Sequence, residues 1–167
     1  YGFDTTTATS DGAVVCGASG NNVWFRYRAP ALGRLNVTTC DLASFDTVLT
    51  AYNGCGGAVL ACNDDAGCGP LGLQSFISFP VQANGDSLVS LGGYQGARGA
   101  GQVRFEFIPC RIDFNGDGFV DFFDYDDYVN CFETGSCPAG TTADFNGDGF
   151  ADFFDYDDFV RSFEAGC

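Results

Sequence analysis

The stretch Asp113–Gly135, DFNGDGFVDFFDYDDYVNCFETG, returns at Asp144–Gly166 as DFNGDGFADFFDYDDFVRSFEAG. Of the 23 aligned positions 18 are identical; the differences are Val120/Ala151, Tyr128/Phe159, Asn130/Arg161, Cys131/Ser162 and Thr134/Ala165. Each copy opens with an oxygen-rich loop broken by glycines and continues as a run with helical spacing. Whatever the first copy folds into, the second must fold into as well.

A hard cation such as Ca²⁺ takes six to eight oxygens, supplied at alternate positions of a loop that curls around it. Copy one offers Asp113, Asn115, Asp117, the carbonyl of Phe119, Asp121 and Asp124 at the first, third, fifth, seventh, ninth and twelfth positions. Copy two offers Asp144, Asn146, Asp148, the carbonyl of Phe150, Asp152 and Asp155 in the same places. Gly118 and Gly149 stand sixth, where the loop turns sharply. The twelfth position carries Asp rather than the longer Glu of calcium sensors, so this last ligand must come closer or bind less symmetrically. Four carboxylates per loop repel one another without a cation, which should couple ion binding to folding. The bland alternative is an acidic, solvated turn that binds nothing, and two full-length copies weigh against it. Mg²⁺ suits the loops less well, because it keeps its waters. Two Ca²⁺ are therefore expected in this part of the chain.

Behind each loop, Phe122, Tyr125, Val129 and Phe132 recur at the spacing of one helical face, and Phe153, Tyr156, Val160 and Phe163 repeat it. That face is expected to be core. Phe123, Tyr128, Phe154 and Phe159 do not all fit it. Together with Phe122 and Phe153 of the Phe pairs, they are candidates for an exposed aromatic docking surface.

The tandem resembles the dockerin domains of secreted bacterial proteins, over Cys110–Cys167. The likeness rests on the paired DFNGDG loops, the Asp at the twelfth position, a helix after each loop and a short connector. The FFDYDD run and terminal GC resemble the cysteine-bearing variety of planctomycete-type proteins. What the resemblance implies is a calcium-dependent protein-docking module rather than a calcium sensor. Cellulosomal dockerins use the tenth and eleventh loop positions toward a cohesin. Here those positions hold Phe122-Phe123 and Phe153-Phe154, which argues against that particular partner.

The net charge of −15 is unevenly spread. Residues 111–167 hold 14 acids against two Arg, giving −12, whereas residues 1–110 hold 8 against 5, giving −3. Two bound Ca²⁺ would bring the former to −8, so much of the acidity is ligand charge. Nucleic acid and anionic membranes are disfavoured as partners. The chain opens on Tyr1 rather than Met, as expected of a chain processed from a precursor, and it carries no transmembrane run. Nine cysteines point to an oxidising, extracellular or cell-surface setting, bacterial by the resemblance. Cys131 with Cys137 and Cys110 with Cys167 are plausible bridges. Pairing among Cys16, Cys40, Cys55, Cys62 and Cys68 stays open, and the odd count leaves one thiol over.

Residues 1–109 read as short strands between Gly, Asn and Asp turns. In NVWFRYRAP, Val23, Phe25 and Tyr27 alternate with Trp24, Arg26 and Arg28. Leu35–Val37, Val48–Tyr52, Leu73–Phe79, Leu88–Leu91 and Val103–Phe107 continue the pattern. The expectation is a mainly β, antiparallel sandwich over 1–109, followed by a small α domain of two loop–helix repeats over 110–167. GGYQGARGAG lacks the Lys of a phosphate loop and is expected to be a hairpin.

FDTVLTAYNGCGGAVLACNDDAGCG from Phe45, then QSFISFPVQANGDSLVSLGGY from Gln74, resemble the pre-peptidase C-terminal (PPC-type) β-sandwich. The match runs roughly from Val14 to Phe107. It implies an accessory, jelly-roll-like, non-catalytic module of secreted proteins, some members of which bind calcium or an extracellular polymer. Asp46, Asn63, Asp64 and Asp65 could make a further calcium site, or simply an Asx-rich turn. Asn36-Val37-Thr38 fits an N-glycosylation sequon.

The absence of His excludes the Ser/His/Asp and Cys/His nucleophilic arrangements, and no nucleophile elbow or dinucleotide fingerprint is present. A non-catalytic protein is expected. A sandwich joined to a docking module offers two distinct surfaces, the least that head-to-tail assembly requires. The expected function is thus a calcium-dependent extracellular fibre or coat. Its partners are other copies, or a related scaffold or surface protein. The alternative is a sandwich that holds a polysaccharide or matrix polymer, with Trp24, Tyr27, Tyr52 and Tyr94 as a stacking platform and a separate scaffold as the tether.

Overall fold

Val23, Phe25 and Tyr27 turn toward a hydrophobic core while Trp24, Arg26 and Arg28 between them are exposed, so period-two alternation sets the inner and outer faces of this strand. The computed structural model describes residues 1–12, 15–17 and 19–167. It comprises two compact units, one of residues 1–30 and 34–108, the other of 31–33 and 109–167.

Among the described residues nine strands run in chain order, all but the first residue of β3 and the last of β9 in the first unit: β1 (Gly2–Asp4), β2 (Ser19–Arg28), β3 (Gly33–Thr38), β4 (Thr47–Tyr52), β5 (Val59–Asn63), β6 (Phe76–Val81), β7 (Asp86–Tyr94), β8 (Ala100–Gln102) and β9 (Arg104–Pro109). One sheet has the order β2-β7-β4-β5, a second the order β6-β3-β9, and β1 pairs with β8. The four-stranded sheet is antiparallel, with Val23 opposite Leu91, Phe25 opposite Val89 and Ala51 opposite Val89. A bulge between Gly20 and Val23 shifts the register of β2. Leu49, Ala51, Val89 and Leu91 of this sheet share one buried cluster with Leu35, Val37, Ile77 and Phe79 of the other. Two sheets closing on a common core make a β-sandwich. Pro80 lies exposed in β6, an edge strand, where a missing N–H costs no ladder bond.

Three strands, β1, β5 and β8, escaped the sequence pattern, β1 because its three residues bury a single side chain. β5 is a partly exposed edge, and β8, Ala-Gly-Gln, has no large apolar side chain to mark it. The Gly-rich GGYQGARGAG segment does turn tightly, with the Ala97 N–H donating to the Tyr94 carbonyl at 2.8 Å. It does not close a hairpin, because the returning β8 pairs with β1.

The described residues hold four disulfides. Cys16–Cys62 and Cys40–Cys68 brace the sandwich; Cys110–Cys167 and Cys131–Cys137 lie in the second unit. Bridges closing 46 and 28 residues are each worth roughly 3–4 kcal/mol in the chain-entropy account. The ninth cysteine, Cys55, is free and exposed on the β4–β5 connection. No helix among the described residues is long and apolar enough to cross a membrane.

The second unit carries α1 (Phe122–Thr134) and α2 (Phe153–Ala165). Asp121 and Asp152 cap them, accepting from the N–H of Phe123 and Phe154, and Asp124 and Asp155 complete reciprocal capping boxes. Of the face that the apolar spacing indicates, Tyr125 and Phe132 of α1 and Tyr156 and Phe163 of α2 do pack, half-buried, against the core, but the centre of the inward face lies to one side of it. Asp124, Tyr128 and Cys131 of α1 and Asp155 and Phe159 of α2 are buried. Phe122 and Phe153 are 69% and 71% exposed, so they are not core. The reason lies in the loops. Asp124 and Asp155 bend back into them, which fixes that side of each helix inward. Tyr128 and Phe159 follow four residues later, while Phe122 sits about 200° round the helix from Asp124. Tyr128 and Phe159 therefore cannot belong to a docking surface. Each is fully buried, and their rings stack at 3.8 Å with 3° between planes. Phe114 and Phe145 meet this stack edge-on.

Candidate calcium loops, an acid triad and an aromatic surface

Both loops are wound tightly by their own side chains. In copy one, Asp124 accepts from the N–H of Asn115 at 3.1 Å with one oxygen and from that of Asp121 at 2.9 Å with the other. Asp155 does the same for Asn146 and Asp152, at 2.8 and 2.9 Å. Asn115 accepts from the Asp117 N–H, Asp117 from the Phe119 N–H, and Asp113 from the Gly118 N–H. Gly118 and Gly149 have φ of 90° and 97°, the left-handed region that the sixth position demands.

Each of these carboxylate oxygens has a further lone pair to give. Burial, with Asp124 and Asp117 as like-charged neighbours, pushes the Asp113 carboxyl up against the lowering effect of the Gly118 N–H. At Asp155 burial acts upward too, but the N–H groups of Asn146 and Asp152 outweigh it and hold the carboxyl below its usual range. The donor set of each loop is all oxygen: Asp, Asn, Asp and a main-chain carbonyl, with Asp at the twelfth position. Such a set fits Ca²⁺ and suits neither zinc nor copper. Asp121 and Asp152, whose carboxylates cap the helices, stand at the ninth position, where ligation commonly runs through water.

The loop carboxylates are not the most tightly clustered acids. Among the described residues, the three whose ligand oxygens all lie within 4.8 Å of one another are Asp46, Asp64 and Asp65. Asn63 instead donates to the Asp65 carbonyl and accepts from the Phe76 N–H, which is the turn-forming role. Burial pushes both Asp46 and Asp64 up, with repulsion from Asp64 and Asp65 adding at Asp46 and from Asp65 at Asp64. A raised carboxyl contributes stability that is complete below the unfolded value and is lost as pH rises through the folded one. In chelator at neutral pH, Asp46→Asn should therefore raise the melting temperature of the first unit. Below about pH 3.8 that gain should vanish. A loss of stability at neutral pH would show that the carboxylate is held favourably.

The other distinctive feature is aromatic. Phe119, Phe122 and Phe123 are 67–70% exposed, and Phe150, Phe153 and Phe154 are 70–74% exposed. The sequence spacing pointed to the two Phe pairs but treated Phe119 and Phe150 only as carbonyl donors; their rings are as bare as the rest. Phe122 contacts Tyr125 at 6.1 Å, Phe153 contacts Tyr156 at 6.1 Å, and the two tyrosine hydroxyls share a 2.5 Å hydrogen bond. An aromatic band thus runs from the start of α1 to the start of α2.

Of the four aromatics proposed as a stacking platform on the sandwich, Trp24 and Tyr52 adjoin at 5.5 Å. Tyr27 faces inward and stacks on Phe105, and Tyr94 stands at the far end of β7. Asn36 is half-buried on β3, the middle strand of its sheet.

No family model matches the chain, and comparison with curated proteins and with solved structures found no match to either.

Proposed function

We propose that the chain is a non-catalytic, secreted structural or adhesive protein built of a PPC-like sandwich and a dockerin-like repeat unit. Two Ca²⁺ hold the loops of that unit, and its exposed phenylalanines dock on a neighbouring copy or a related surface protein. Repetition of the contact builds a calcium-dependent extracellular fibre or coat.

One observation carries this reading: six phenylalanines, three per repeat, stand at least two-thirds exposed on a single small unit. Lone exposed apolar residues are ordinary, but large rings grouped in this way mark interaction surfaces. The disulfides and the oxygen-only loops suit an oxidising, calcium-rich exterior. Calcium here acts as a staple that keeps the Phe-bearing segments in place.

The purified chain should form polymers in Ca²⁺, visible by light scattering and negative-stain microscopy, and these should dissolve in chelator. A variant with Phe122, Phe123, Phe153 and Phe154 all changed to Ala should keep its fold, since exposed sites cost little. It should fail to polymerise at concentrations roughly tenfold above those the wild type needs. A monodisperse monomer in Ca²⁺ sinks the assembly reading. The Trp24–Tyr52 pair favours a second reading, a polysaccharide-binding sandwich tethered to a separate scaffold, which a glycan array would reveal.

A further inference from the structure

If the phenylalanines are the plug, assembly of identical copies needs a socket on the same chain. The outer face of the four-stranded sheet has one. A cleft of about 410 Å³ lies between Trp24, Tyr52 and Leu88, with the Gly54–Gly57 turn, which includes Cys55, along its rim. It is a built feature. The Trp24 indole N–H donates to Asp11 at 3.2 Å, and Asp11 is in turn held by Asn22, which is 8% exposed and also bonds Ser90. Gly12 closes in on the indole so tightly that a Cβ there would lie 2.8 Å from the ring.

Charge indicates which ring pair it takes. Arg26 and Arg28 are exposed on the same outer face of β2 as Trp24. Arg26 is shared with Asp86 at 2.6 Å. In α2, Arg161 already pairs with Asp157 at 2.6 Å, beside Phe153 and Phe154. In α1 the corresponding residue is Asn130, and among the described residues no arginine pairs with Asp126 or Asp127. The Phe122–Phe123 pair therefore carries the uncompensated acids that an arginine-flanked aromatic cleft would attract.

We propose that the Trp24–Tyr52 cleft receives Phe122 and Phe123 of a second copy, with Asp126 and Asp127 set against Arg26 and Arg28. This deepens the assembly reading above and rests on it. The contact is heterologous, so each copy keeps a free plug and a free socket, and the array does not close on itself unless the rotation happens to.

The test uses the full chain in Ca²⁺. A socket variant, Trp24→Ala, and a plug variant, Phe122→Ala with Phe123→Ala, should each fail to polymerise alone. Mixed, they should give one-to-one dimers and nothing longer, because only one good plug and one good socket remain per pair. Phe153→Ala with Phe154→Ala should raise the assembly threshold less than about twofold, against roughly tenfold for the plug variant. Cys55 supplies an independent reading that survives if Trp24→Ala fails to fold. A short bismaleimide should join Cys55 of one copy to a cysteine placed by Asp126→Cys in another, giving a covalent ladder, and should do so far less from Asp157→Cys. Polymers that form normally in Trp24→Ala, or that cross-link equally from both sites, overturn the socket while leaving assembly standing. Loss of glycan binding in Trp24→Ala with assembly intact overturns it in favour of a sugar site. If the wild type does not assemble in Ca²⁺ at all, both readings fall.

Discussion

In chelator the second unit should lose its helices while the first stays folded. A unit of residues 31–33 and 109–167 is small, and domains of this size bury too little surface to be more than marginally stable. Its core must also carry Asp124 and Asp155, both fully buried, in loops crowded with further carboxylates. An ion at about 1,000 times its dissociation constant adds roughly 4 kcal/mol per site. With about 4–8 °C of melting temperature per kcal/mol for a domain this small, two sites move the melt by some 30 °C or more. Asp117→Ala with Asp148→Ala should lower the melting temperature in Ca²⁺ and abolish its calcium dependence. The readout is helical circular dichroism followed against temperature, because the Cys110–Cys167 and Cys131–Cys137 bridges keep the unfolded unit compact. Helices that melt identically in Ca²⁺ and chelator refute two structural ions.

Phe159→Ala should cost about 3–5 kcal/mol, whereas Phe154→Ala, five residues earlier in the same helix, should cost no more than about 0.5 kcal/mol. Phe159 is fully buried. It stacks on Tyr128 at 3.8 Å and is met by Phe114 and Phe145 at 6.0 and 5.3 Å, so its removal leaves a cavity in the centre of the unit. Phe154 is 70% exposed and loses little on truncation. In saturating Ca²⁺ the two variants should separate by more than 10 °C in melting temperature. Assembly in Ca²⁺ should hardly respond to Phe154→Ala, whose ring stands outside the Phe122–Phe123 plug. Equal thermal effects would mean that the outward and inward faces of α2 are wrongly assigned.

What could be read from the letters was whatever a local rule decides. The spacing of Asp113, Asn115, Asp117 and Asp124 is set by the reach of one loop, and the alternation of Val23, Phe25 and Tyr27 by the pleat of one strand. What failed was decided by contacts distant in the chain or by a rule that competes with hydrophobicity. The apolar spacing put Phe122 and Phe153 inside, yet the buried carboxylates of Asp124 and Asp155 set the rotation of each helix. Tyr128 and Phe159 looked misplaced because each finds its main partner in the other repeat. The Trp24–Tyr52 cleft joins residues brought side by side across β7, and nothing adjacent to either one announces it. The Cys16–Cys62 and Cys40–Cys68 pairs were illegible for the same reason.

The Cys110–Cys167 bridge has a mechanical consequence. It ties the two ends of the repeat unit into a covalent ring that encloses both loops and both helices, 57 residues apart in sequence. In the proposed fibre, tension that enters at Cys110 is shared through the sulfur link with the residue after α2, so this unit cannot be peeled open from that end. Were the phenylalanines docked as proposed, load reaching them would pull on a unit whose two ends stay joined, so α2 could not fray away from the rest. A reductant that leaves Ca²⁺ bound should accordingly weaken such fibres under stretch while leaving their appearance at rest unchanged.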